Sequence, residues 1–322
     1  MKRRLLFSIC LCFLTWWEQG VAHGVSDVIE EASGIVRLGE ELLIVADETP
    51  GAYFRFRLGD EKGPAITIDP SRITKVNLSG GTLALDLEAI DVLADGRIIV
   101  LSERLRSAVG EKGIVAEYDD PLSVFGNRGL EGLAVRRLGD GSSRIAILWE
   151  GGYPEYKDVL KQLQRPVGRL PMRPVIWVHD LKPGQNPGAI NAKHTYKVIE
   201  LDVPKPAGQE LQGQRFRAPD LVWLRMGERD WGFIVLLSSE NSPETGKTQY
   251  GHTWLQRFTI DGEPYGKPLD LKEMLPPYLQ EANWEGLGWF EEGRSLVIIH
   301  DYPPRGHPTA YVIELFPSWR LP

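Results

Sequence analysis

Asn283-Trp284-Glu285-Gly286-Leu287-Gly288, followed after a turn by Leu296-Val297-Ile298-Ile299-His300-Asp301, sets the pattern for the whole chain. An acid and a small residue open an apolar strand, Glu292-Gly293 reverses it, and a strongly apolar strand returns and stops at a second acid. The unit recurs four times upstream. Its opening strands are Ala32-Ser33-Gly34-Ile35-Val36, Leu87-Glu88-Ala89-Ile90-Asp91, Leu130-Glu131-Gly132-Leu133-Ala134 and Pro219-Asp220-Leu221-Val222-Trp223. Its returning strands run over 42–47, 98–103, 145–150 and 234–240, ending at Asp47, Glu103, Glu150 and Glu240. From Ser33, Glu88, Glu131, Asp220 and Glu285 to the closing acid the separations are 14, 15, 19, 20 and 16 residues. That is the length of two short strands and a hairpin, and Asp95-Gly96 and Asp140-Gly141 are the turns such a hairpin needs.

A third strand follows in each copy, rich in aromatic and β-branched residues, over 53–58, 113–118, 175–180, 253–260 and 309–316. Fourth strands are fainter, with candidates over 65–68, 122–125 and 196–201. Four antiparallel strands repeated radially define an all-β fold of the β-propeller type, with five four-stranded blades. Six blades, one of them degenerate, is the alternative. The last copy lacks a fourth strand of its own, and the segment 23–29 is expected to supply it. No long amphipathic helical pattern competes with this reading.

Met1-Lys2-Arg3-Arg4, the apolar run from Leu5 to Trp17, and Gly20-Val21-Ala22 follow the order of a secretory signal peptide. The run is shorter than the roughly 20 residues a membrane-spanning helix needs. Residues 1–22 are therefore expected to be removed, leaving 23–322 as a single propeller domain with an insertion at 151–174, secreted or periplasmic and not inserted in a membrane. Both cysteines, Cys10 and Cys12, fall in the leader, so the domain relies on core burial without disulfides. A net charge of −7 argues against general nucleic-acid binding.

In a propeller blade the innermost strand lines the central channel and the second returns beside it, so the start of one and the end of the other share a face. Ser33, Glu88, Glu131, Asp220 and Glu285 are thereby expected at one channel mouth. Asp47, Glu103, Glu150, Glu240 and Asp301 form an outer ring. Carboxylates this close raise one another's pKa unless a cation sits among them. An oxygen-only donor set with one hydroxyl suits calcium, with Ser33, Glu88, Glu131, Asp220 and Glu285 as metal ligands. The structural alternative is that these acids cap strands and accept backbone hydrogen bonds. Arg104, Arg128 and Arg217 flank the acidic motifs, and the insertion adds Lys157, Lys161, Arg165, Arg169 and Arg173. Guanidinium forks beside calcium would hold an anionic small-molecule substrate.

Asp86-Leu87-Glu88-Ala89-Ile90, Gly129-Leu130-Glu131-Gly132-Leu133 and Asn283-Trp284-Glu285-Gly286-Leu287 resemble the motifs of the calcium-centred bacterial propellers described as phytase-like, or esterase-like activity of phytase. The resemblance implies calcium and a hydrolase acting on phosphoester or ester bonds. A weaker one, to the calcium-activated apyrases, rests on Ser33, Glu88, Glu131 and Glu285; Asp47-Glu48-Thr49 departs from the acidic pair and Arg of that family. The expected hydrolase uses Arg104, Arg128 and Arg217 for the substrate and Glu103, Glu150, Glu240 or Asp301 for the proton. The alternative function is a non-catalytic propeller with structural calcium, binding a ligand or a protein.

Overall fold

The computed structural model describes residues 29, 31–47, 49, 51–61, 63–78, 86–118, 129–150, 173–185, 197–204, 214–227, 231–241, 249–300 and 308–319. They form five four-stranded antiparallel sheets. The first blade holds β1 (Ala32–Leu38), β2 (Glu41–Ala46), β3 (Ala52–Arg57) and, outermost, β5 (Ile73–Asn77). Blade 2 holds β6 (Leu87–Val92), β7 (Ile98–Ser102), β8 (Ser107–Gly110) and β9 (Gly113–Glu117). Next comes blade 3, with β10 (Leu130–Arg137), β11 (Ser143–Trp149), β12 (Val175–Leu181) and β13 (Lys197–Glu200). Blade 4 consists of β14 (Gln214–Arg225), β15 (Trp231–Asn241), β16 (Gln249–Thr259) and β17 (Pro264–Asp270). Blade 5 is β18 (Trp284–Glu291), β19 (Ser295–His300) and β20 (Thr309–Glu314), completed by β4 (Ala65–Thr67) from the start of the chain.

Each blade is packed between two others, which explains why the second strands read as unbroken apolar runs. Ile98 to Leu101 and Leu42 to Val45 are buried on both faces. Five apolar clusters fill the seams between blades 1 and 2, 2 and 3, 3 and 4, 4 and 5, and 5 and 1. The last of these, where Ile35 and Ile44 meet Val297 and Ile299, closes the ring at five.

The inner strands come so close that side chains must be small. A Cβ on Gly34 would stand 2.6 Å from the Cα of Ala89, one on Gly132 3.0 Å from the Cα of Asp220, and one on Gly286 2.9 Å from the Cα of Gly34. The small residues Gly34, Ala89, Gly132 and Gly286 of the opening motifs are thus points of contact between inner strands.

Three strand expectations are corrected. The segment 65–68 does not finish blade 1; Ala65, Ile66 and Thr67 pair with Tyr311, Ala310 and Thr309 of β20. The strand that closes the ring is therefore this one and not the segment 23–29, of which only Ile29 is described, buried in the seam between blades 1 and 5. Blade 1 instead finishes with β5, whose solvent-facing Thr74, Lys75 and Asn77 conceal it from a hydrophobic pattern. In blade 2, Gly113–Glu117 is the fourth strand, because a tight turn at Arg106 (φ 50°) admits the short β8 first. The candidate strand 122–125, the leader and 151–172 of the insertion lie outside the described residues.

Candidate functional site

At the channel mouth four of the five inner strands open with the same irregularity. Register shifts of one residue fall between Ala32 and Gly34, Leu87 and Ala89, Leu130 and Gly132, and Trp284 and Gly286. Ser33, Glu88, Glu131 and Glu285 are the residues left over, one per β-bulge, a device that re-aims a side chain away from the ladder. In blade 4 the shift lies between Arg217 and Asp220. Asp220 pairs with Leu236 as Gly132 pairs with Leu148 and Gly286 with Ile299, so it stands one position beyond the bulged acids. Pro219 occupies the acid's place.

That offset gives Asp220 a different task from the expected metal ligand. Its Oδ2 accepts the N–H of Leu287 from blade 5 at 2.7 Å; its Oδ1 accepts those of Leu221 at 2.8 Å and Leu133 of blade 3 at 3.4 Å. Asp91 does the same between blades 2 and 3, accepting from Val92 and Val135 at 2.6 Å each. Burial, against the pull of these amides, holds the Asp220 carboxyl well above the usual carboxylate range. It pushes Asp91 up to about 7, against its two amides and Arg137.

Arg217 enters the mouth from the blade that lacks a bulged acid. Its Nη1 donates to Glu285 Oε1 at 2.7 Å; its Nε lies 3.3 Å from Glu150 Oε2 and its Nη2 3.9 Å from Glu131 Oε2. Asn283 also donates its side-chain amide to Glu285. The guanidinium is only 14% exposed, so these charges meet with little screening. Arg217 thus supplies one positive charge to these three acids.

Glu88 stands on the other side of the mouth. Burial first, then the charges of Glu131, Asp47, Glu103 and Glu285, raise its carboxyl well above the ordinary range. Glu131 is raised as well, by burial and then by Glu150, while Arg217 pulls it back down. The structure thus gathers Glu88, Glu131 and Glu285 with Glu103, Glu150 and Asp47 into one electrostatic cluster. Ser33 turns aside, its hydroxyl donating to the Glu31 carbonyl at 3.2 Å. Arg104 is an exposed partner of Asp86 at 3.4 Å. Arg128 and Asp301 lie outside the described residues, and Glu240 is placed only by its backbone in β15. His300 is buried, its ring edge-on to Trp284 at 5.3 Å, which suits a packing role.

Two of the five expected ligands, Ser33 and Asp220, are turned to backbone partners, which leaves Glu88, Glu131 and Glu285 of the expected set at the mouth. The guanidinium hydrogen-bonds one oxygen of Glu285 and stands 3.3 Å from Glu150 and 3.9 Å from Glu131, and both oxygens of Asp220 accept backbone N–H groups. Among the described residues no group of three or more His, Cys, Asp or Glu side chains is disposed to hold a metal.

No family model matches the chain, and no curated protein does. Solved propeller structures show a distant similarity. Virginiamycin B lyase from Staphylococcus aureus is 11% identical, over 90% of this chain and 97% of that chain, with a TM-score of 0.40. An endo-arabinase from Bacteroides thetaiotaomicron is 11% identical, over 90% and 98%, with a TM-score of 0.42. The calcium-binding protein regucalcin from Agrobacterium tumefaciens is 9% identical, over 90% and 92%, at 0.40. At such identities and scores none of them bears on what this chain does.

Proposed function

We propose that the carboxylate mouth is an acid–base site for the hydrolysis of an ester bond. The observation that supports it most is the raised carboxyl of Glu88, half-buried and ringed by other acids. Both Glu88 and Glu131 keep a proton at pH values where an ordinary carboxylic acid has lost it. Carboxylic acid and carboxylate then stand side by side, as hydrolysis requires. The acid protonates the leaving oxygen as its bond to the acyl or phosphoryl centre breaks. Glu103 or Glu150 takes a proton from the attacking water, the role the sequence pattern also offers to Glu240 and Asp301.

Charge favours the kind of ester. Among the described residues Glu131, Glu150 and Glu285 gather about the guanidinium of Arg217, and Glu88 and Glu103 add their charge beside Glu131. A multiply charged phosphomonoester is repelled by such a mouth; an uncharged carboxylester is not. The phytase-like resemblance of the motifs points toward phosphoesters, and a panel containing both kinds decides. The leader motif supports export to the periplasm or medium, which the mass of the mature chain, starting near His23, would verify.

The second reading is a non-catalytic module, favoured because the strongest neighbours of Glu88 are all acids and so attract a cation. Purified protein should be screened on carboxylesters and phosphoesters with calcium or with a chelator, beside Glu88→Gln and Glu131→Gln. The hydrolase reading expects turnover that both variants lose by at least about tenfold at unchanged circular dichroism. No turnover on any substrate, with calcium raising the melting temperature of wild type but not of Glu88→Gln, would establish the second reading instead.

A further inference from the structure

The opposite mouth of the channel carries the reverse chemistry. As the inner strands run away from the acids they line a cavity of about 530 Å³, reached by Arg37 of β1, Arg136 and Arg137 of β10, Trp223 of β14 and Trp289 of β18. Trp231, at the start of β15, adds a third indole to its wall. Two of the indole nitrogens already tie blades together: Trp289 donates to the Trp223 carbonyl at 2.9 Å and Trp223 to the Ala134 carbonyl at 3.1 Å. These bonds hold the ring planes in place at the cavity wall with no polar demand of their own left over.

Arg136 lies flat on Trp231, its guanidinium carbon 3.6 Å from the ring centroid. Its Nε is shielded from solvent and has no hydrogen-bond partner. Burial, then Arg144 and Arg225, work against its charged form, Asp180 offsets them in part while paired with Arg144, and an anion at the guanidinium would add to that offset. Arg37 is differently placed, with donors given to the carbonyls of Gly39 and Phe290. The acids on this wall offset the three cations only in part, since Asp91 accepts two backbone N–H groups beside Arg137 and Glu292 is exposed.

We propose that this cavity is a second ligand site, distinct from the carboxylate mouth, that takes a small aromatic carboxylate. The ligand's ring lies against the fixed indole faces and its carboxylate meets the stacked fork of Arg136. A planar anion satisfies the half-buried guanidinium and the aromatic wall together; an inorganic anion would serve only the first, and a neutral aromatic only the second.

Calorimetric titration with 1-naphthoate tests this, with 1-naphthamide and acetate as controls. The expected result is saturable binding of 1-naphthoate with a stoichiometry of one, at least about tenfold tighter than either control. Arg136→Gln should weaken it about tenfold or more, while Glu131→Gln at the other mouth leaves it unchanged. Should the Gln variant not fold, Arg136→Lys, which keeps the charge but loses the fork, is expected to weaken binding several-fold. Absence of saturable binding by wild type, equal affinity for the amide, or full affinity in the folded Arg136 variant would each overturn the proposal.

Discussion

Arg217 is the residue on which the charge balance of the mouth turns. Replacing it by Gln leaves Glu131, Glu150 and Glu285 buried without their guanidinium, and breaking a buried pair in this way costs roughly 3–5 kcal/mol. The cost is expected to be largest at pH 8 and smaller at pH 5, where the acids can take up protons instead; chemical denaturation of Arg217→Gln at the two pH values measures it. The acids of this site were legible in the sequence because they recur at one step of a repeat. Arg217 was legible only as a flanking base, since nothing in a linear pattern says that Pro219 has displaced an acid and left the mouth to a cation. The same displacement hid the true place of Asp220. Its motif, acid then apolar strand, matches the others, yet a shift of one residue carries a strand side chain to the other face and turned a presumed ligand into a clamp between blades.

Between inner strands the determining feature is the absence of side chain. At Gly34 a methyl group would lie 2.6 Å from the Cα of Ala89 and 2.8 Å from the carbonyl oxygen of Glu88, backbone atoms that cannot yield without moving a blade. Gly34→Ala is expected to destabilise the fold by about 1–3 kcal/mol, as overpacking does. Gly139→Ala, with nothing within 4 Å and no positive φ, should change it by less than about 0.5 kcal/mol. Paired melting curves compare them. Buried strands were the readable elements here, because two-sided burial writes long apolar runs such as Ile145 to Leu148. The outer ones were not: β5 is mostly polar, β8 is four small residues, and β4 is three residues whose partner is at the far end of the chain.

Across the whole ring the raised carboxyls act in one direction. A carboxyl whose folded pKa stands above its unfolded value favours the folded state at low pH, and that contribution is lost as pH rises through the folded value. Asp91, pushed up to about 7, with Glu88, Glu131 and Asp220 shifted the same way, should make the melting temperature fall between pH 5 and pH 8. Asp91→Asn should shallow that fall, and an unaltered slope would show that its clamp does not titrate there. Five blades were readable from the repeat alone, but the closure was not, because the pairing of Ala65–Thr67 with Thr309–Tyr311 joins segments with no mutual signature. That closure also imposes an order of events on biosynthesis. A strand made among the first must wait, edge unsatisfied, until β20 has left the ribosome, so every shorter nascent chain carries an open seam between blades 1 and 5.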